Sequence, residues 1–266
     1  MALALFQRAA ECLAMPSPEE KCAAVTDLWL AVQLDNFEFD PHTPVTPIGA
    51  AGHPNKPDLV DPSQVPRRRL GSKEGRAALV HAITHIEFNA INLALDAAYR
   101  FRDMPHQYYL DWISVAADEA RHFQLLESRL GSLGFAYGDF PAHNGLWEMA
   151  RKTADDCLMR MALVPRVLEA RGLDVTPGMI DRLKSAGDVE TARILQVILD
   201  EEVRHVEIGS YWYHLCCDQR GLEPESTFLS LLKEHFSGSL RGPFNIPARM
   251  KAGFTQREME AISSLS

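Results

Sequence analysis

The sequence has no apolar run long enough to cross a bilayer, which takes about 20 consecutive apolar residues. It opens Met1-Ala-Leu-Ala-Leu-Phe-Gln-Arg8, without the basic segment and long apolar stretch of a secretory signal. No two of the cysteines (Cys12, Cys22, Cys157, Cys216 and Cys217) stand in Cys-x-x-Cys spacing, and their number is odd. Reduced, packed thiols in a cytoplasmic protein are therefore expected. Positive charge is in short supply, with 27 Lys and Arg against 36 Asp and Glu and a formal net charge of -9. Such a balance argues against a general nucleic-acid or membrane-surface binder. No membrane partner is expected, nucleic acid is disfavoured, and a homo-oligomer is left open.

What the chain does contain is a pair of matching stretches, Glu119-Ala-Arg-His122 and Glu202-Val-Arg-His205. Positions three apart on a helix share a face, roughly 4.5 Å apart along the axis, so each Glu and His can grip one ion together. One Glu-x-x-His arises readily by chance on a solvated helix; two set in apolar stripes do not. Each is preceded by a single glutamate in its own apolar helical pattern, Glu87 by 32 residues and Glu169 by 33. Glu, Glu-x-x-His, Glu, Glu-x-x-His reads as a duplicated helix pair. Four inward Glu and two inward His are the ligand set of dinuclear carboxylate bundles.

The rest of the chain is organised around that pattern. Residues 3–14 and 18–33 read as amphipathic helices, the second capped by Ser17 with Pro18 at its first position. From Asp35 to Gly71 the periodicity stops, and seven of the 16 prolines fall there (Pro41, Pro44, Pro47, Pro54, Pro57, Pro62 and Pro66). This stretch is expected to wrap the bundle as an extended arm through Val45, Ile48, Leu59, Val60 and Val65, a disordered linker being the alternative. Bundle helices are expected over Ser72–Phe101, Pro105–Leu130, Thr153–Arg171 (stopped by Gly172) and Asp188–Asp218. Gly131–Asn144 is the longer crossover and Thr176–Ala186 a short linking helix. Pro165, one turn before Glu169, must disturb the ladder, either as a plain kink or to aim that carboxylate. The expected divisions are 1–71 (helices and arm), 72–221 (the bundle) and 222–266 (a helical tail), with a helix at Glu225–Phe236.

Converging glutamates repel one another unless cations offset them, and two divalent ions balance four carboxylates. For one glutamate, a rim position or an arginine partner is a sound alternative reading; for six matched positions it is poor. Oxygen and nitrogen donors without thiolate favour iron, with manganese as the other choice and zinc as an adventitious occupant.

The chain resembles the ferritin-like superfamily, and within it a bacterial family known only as a domain of unknown function. The resemblance runs through nearly the whole chain and includes Val65-Pro-Arg-Arg-Arg69, His85-Ile-Glu87, Asp118-Glu-Ala-Arg-His122, Leu168-Glu-Ala-Arg-Gly-Leu-Asp174 and Glu201-Glu-Val-Arg-His205. It implies an all-α four-helix bundle holding two metal ions on Glu87, Glu119, His122, Glu169, Glu202 and His205. It does not fix the reaction. The first expectation is an oxygen-activating di-iron oxidase or hydroxylase, acting on an unknown small molecule with an unknown electron donor. A metal-handling or storage protein and a metal-bound scaffold are the alternatives. A hydroxylase of modified tRNA, present elsewhere in the superfamily, has only the Arg67–Arg69 cluster in its favour. No residue beyond the ligands is assigned a catalytic role. Arg121 and Arg204 are expected in surface pairs, His81 and His85 in capping, surface or supporting roles, and Tyr99, Tyr211 and Tyr213 in packing. Small residues at Ala90, Ala162 and Gly209 suit either a cavity beside the metals or close helix packing.

Overall fold

A computed structural model of the chain describes residues 3–39, 44–46, 48–65, 69–236 and 242–264. Pro41, Pro47, Pro66, Arg67 and Arg68 lie outside the described residues. The described chain is predominantly helical, its strand content being a two-residue parallel pairing of Leu3–Ala4 with Phe37–Glu38. It forms two compact units, Met1–Arg151 and Lys152–Ser266.

The first unit contains α1 (Leu5–Ala14), α2 (Pro18–Gln33), α3 (Lys73–Arg100), α4 (His106–Ser132) and most of α5 (Gly145–Lys152). The long pair α3 and α4 is joined by a short connection and packs along its length, with α1 against α3 and α2 against α4. Local chemistry sets the starts. Ser17 accepts the Glu20 amide ahead of Pro18, and Ser72 accepts the Gly75 amide, each satisfying one amide that the first turn leaves without a partner. The α4 stripe read from the sequence is buried throughout, from Trp112 and Val115 to Leu126 and Leu130.

Backbone bonds, more than apolar burial, hold the described parts of the arm to this unit. The Thr46 amide donates to the Tyr99 hydroxyl at 2.8 Å, and the Val60 amide to the Ala142 carbonyl at 2.8 Å. Leu59, expected to be buried, is 42% exposed. Where the arm crosses the end of α1, the Gly52 amide donates to the Leu13 carbonyl at 2.8 Å, and a Cβ on Gly52 would lie 2.3 Å from the Ala14 and Met15 carbonyl oxygens. Lys21 fastens the same corner from within. Fully buried, it donates to the Leu13 carbonyl (3.2 Å), the Gly52 carbonyl (3.1 Å) and the Asn92 side-chain oxygen, and lies over the Phe88 ring. Burial draws its pKa down to about 7, but three oxygens receive its three donors, so the cost of the buried amine is largely offset.

The second unit holds α6 (Cys157–Leu163), a π-helical turn (Val164–Glu169), α7 (Ala170–Ser185), α8 (Val189–Arg220), α9 (Pro224–His235), α10 (Ile246–Lys251) and α11 (Gln256–Ser264). Asp188 caps α8 through the Thr191 amide, and Gly221 ends it with φ 64°, the left-handed cap that glycine adopts freely. Two expectations fail on the preceding segment. Gly172 does not stop a helix: α7 runs from Ala170 through Gly172 and through Pro177. Leu173, Asp174, Thr176, Ile180 and Leu183 are buried along it, so packing outweighs the weak helix propensity of glycine. The Leu173 carbonyl, which Pro177 cannot serve, accepts instead from the Asn245 side-chain amide at 3.1 Å. The other correction is that Thr153–Arg171 is not one helix but α6 followed by the π turn around Pro165, a wider register that accommodates a residue without an amide proton.

Gly209 on α8 faces that turn. A Cβ placed there would lie 2.3 Å from both Cβ and Cγ of Pro165, so its smallness serves close packing and opens no cavity. Gly209→Ala is expected to lower thermal stability by about 1–3 kcal/mol, the usual cost of overpacking a rigid contact. An unchanged melting temperature would show that the Pro165 ring moves aside freely.

Candidate metal centre

α3 and α4 bring three of the six expected ligands together. Glu87, Glu119 and His122 are 4%, 0% and 0% exposed. His122 Nδ1 lies 3.2 Å from Glu119 Oε2 and 3.3 Å from Glu87 Oε2. Each residue offers a ligand atom within 4.8 Å of the others. Glu119 and His122 share the inner face of α4 by their three-residue spacing, and Glu87 reaches them from the neighbouring helix.

Electrostatics mark the same trio. Burial, and then the charge of Glu119, hold the Glu87 carboxyl well above the usual carboxylate range. Burial lowers the His122 pKa, but hydrogen bonds and charge from Glu119 and Glu87 more than reverse this and carry it up to about 11. The cluster is thus an acid pair with an imidazole wedged in it, and the raised pKa values show how strongly the pair draws positive charge. A divalent cation fits such a donor set, because it can take the place of those protons and accepts carboxylate oxygen and imidazole nitrogen alike.

The second unit repeats half of this arrangement. His205, fully buried, has Nδ1 3.5 Å from Glu202 Oε1, one turn away on α8. Glu169 is the last residue of the π turn, half-buried, on a segment packed against α8.

The residues around the site meet some expectations and depart from others. His81 and His85 are neither caps nor surface groups. Both are buried, and both pin the segment after α4 onto α3. The Gly138 amide donates to His81 Nε2 at 2.9 Å. His85 lies with Nδ1 2.8 Å from the Tyr137 hydroxyl and Nε2 3.2 Å from the His143 carbonyl. Sequence spacing alone places no residue of 137–143 beside α3, so Tyr137 and His143 went unread; the one signal was a pair of histidines, His81 and His85, one turn apart on α3. Tyr99 serves the arm, and Tyr213 packs with its hydroxyl donating to the Pro224 carbonyl at 2.7 Å. Tyr211 is 59% exposed. Arg121 pairs with Asp118 at 3.3 Å on the surface, and Arg204 is exposed.

Fold and site together define a predominantly helical protein with a buried carboxylate–imidazole cluster of metal-ligand type. The chain belongs to the family described as "Protein of unknown function (DUF455)", whose model matches residues 14–260. It is 44% identical over 267 residues to a Haemophilus influenzae protein described as "Uncharacterized protein", an alignment covering 97% of this chain and 93% of that one. No solved structure matches it. Among the described residues, no helix is long and apolar enough to cross a membrane.

Burial lowers both His81 and His85 from 6.5 to about 4. Between those values the unfolded chain binds more protons than the folded one, so stability rises with pH across the window. Their contribution is complete above about pH 6.5 and is lost as pH falls through 4. Protonation of His81 also puts a proton where the Gly138 amide donates. A His81→Gln/His85→Gln variant should therefore show a flatter fall in melting temperature between pH 6.5 and 4 than the parent. Parallel curves would contradict this assignment.

Proposed function

We propose that this is a dinuclear non-haem metal protein in which Glu87, Glu119 and His122 form one half of the ligand set and Glu169, Glu202 and His205 the other. The observation that carries the reading is the buried Glu87–Glu119–His122 cluster, with the Glu202–His205 pair repeating its three-residue spacing on α8. In this reading α3, α4, the stretch from α6 through α7, and α8 are the four helices of a ferritin-like bundle, as the duplicated ligand pattern requires. Iron suits the oxygen and nitrogen donors best, manganese is the second choice, and zinc binds adventitiously.

The reaction class we favour is oxygen activation, as an oxidase or hydroxylase of a small-molecule substrate. When bound, a reduced di-iron pair supplies the electrons and open coordination positions that oxygen chemistry needs. The protein's own part is to hold four carboxylates, two buried and two half-buried, ready to balance two divalent charges. It also shields the ligands from water, Glu87, Glu119, His122 and His205 being 4% exposed or less. A hydroxylation would consume two electrons from an external donor, the same two that reduce the metal pair, and two protons, since one oxygen atom enters the product and the other leaves as water.

Elemental analysis of purified protein should find about two iron or manganese ions per chain, as the charge of four carboxylates implies. Glu119→Ala or Glu202→Ala should reduce that content sharply while helix content is retained. Anaerobic reduction followed by oxygen should produce an absorbance change in the iron-loaded parent and none in the variants. A Glu119→Ala/Glu202→Ala chain with full metal content would overturn the assignment. Full content in the parent without any response to oxygen would leave a metal protein and remove the oxidase.

A further inference from the structure

The residues around Glu169 are held by a part of the chain far away in sequence. Arg166, three residues before Glu169 in the π turn, is fully buried. Its Nη2 donates to both carboxylate oxygens of Glu258, at 2.7 and 2.8 Å. Its guanidinium lies 4.7, 4.3 and 4.4 Å from the ring centres of Tyr213, Phe228 and Phe254. Five residues beyond Glu169, Asp174 accepts a two-pronged ion pair from buried Arg249, Nε at 2.9 Å and Nη2 at 2.7 Å. The same Arg249 donates from Nη1 to the Arg166 carbonyl at 3.5 Å. Asn245 adds its amide to Asp174 at 2.9 Å and its side chain to the Leu173 carbonyl at 3.1 Å. The segment 245–258 therefore grips the chain on both sides of Glu169.

We infer that this C-terminal segment is a positioning clamp for the Glu169 carboxylate, holding the π turn in the register that presents it as a ligand. The inference rests on the metal reading above. A π turn carries one residue more than the α-helix it interrupts, and each residue turns a helix by about 100°. Closing Val164–Glu169 into regular helix would thus swing Glu169, together with α7, to another face relative to α6. The clamp opposes that change, because Arg249 spans Asp174 and the Arg166 carbonyl, and Glu258 holds the Arg166 side chain. Planar, two-pronged pairing fixes orientation as well as distance. Arg166, Asp174, Arg249 and Glu258 are accordingly positioning residues. Any one removed alone strands a buried charge, so paired apolar replacement is the cleaner probe.

The test uses the full chain and Mn(II) as the probe, with bound and free ion separated by EPR. An Asp174→Leu/Arg249→Met variant that retains its helix content should bind one of the two ions about 10- to 100-fold more weakly, as loss of outer partners commonly does. The other ion should be unaffected, and amides of 164–171 should exchange hydrogen faster. On a Glu169→Gln background the same double change should cause no further loss of affinity, because the carboxylate it positions is gone. A purely structural role predicts lower thermal stability with Mn(II) affinity unchanged, or an equal loss on both backgrounds; either result overturns the clamp. If the paired variant fails to fold, Glu258→Gln and Arg249→Lys are read in the same way. Parent protein that takes up no Mn(II) and no Fe(II) overturns the metal reading itself, and the clamp's role with it.

Discussion

Two buried carboxylates, each with an oxygen within 3.3 Å of one buried imidazole nitrogen, set the terms for the first unit. Removing ionised carboxylates from water is costly, and placing two together adds repulsion. The fold accepts both costs at the centre of its longest helix pair. Around the cluster the helices are correspondingly tight: α3 is buried nearly all round its middle turns, and α4 presents an apolar stripe that Glu119 and His122 interrupt. Polar groups near it are satisfied by long-range partners, Lys21 with Asn92 and His85 with Tyr137. A site of this kind has to be assembled against the local electrostatics, which is why so much of the surrounding structure is fastening.

The same logic explains the second unit. Glu169 follows a proline in a register that a helix does not adopt without cause. Gly209 lets α8 meet Pro165 closely, and the tail residues Arg249 and Glu258 lock the turn from the other side. The energetic weight lies in desolvated, doubly hydrogen-bonded ion pairs, where removal of one partner is far more damaging than removal of both.

Periodicity made much of this legible. The α4 stripe, the Asp188 cap and the Ser17–Pro18 start follow from local chemistry that a single chain carries in order, and the three-residue Glu–His spacing follows from helix geometry alone. The convergence of Glu87 with Glu119 and His122 was readable because all three lie on strongly patterned helices. What sequence did not disclose were bonds between distant positions. Nothing local says that Arg166 meets Glu258, that Asn245 serves the carbonyl left over by Pro177, or that His81 receives the Gly138 amide. Gly172 misled for a related reason: it has the composition of a helix stop, but buried neighbours on both sides carry the helix through.

Two ions held together by the two ligand sets, as proposed above, would form a single centre. The most direct measurement is the EPR spectrum of the full chain loaded with two equivalents of Mn(II). Two adjacent ions in one centre predict an exchange-coupled spectrum of the pair, whose hyperfine spacing is about half that of an isolated Mn(II) ion. Two additive, uncoupled Mn(II) signals would contradict the account.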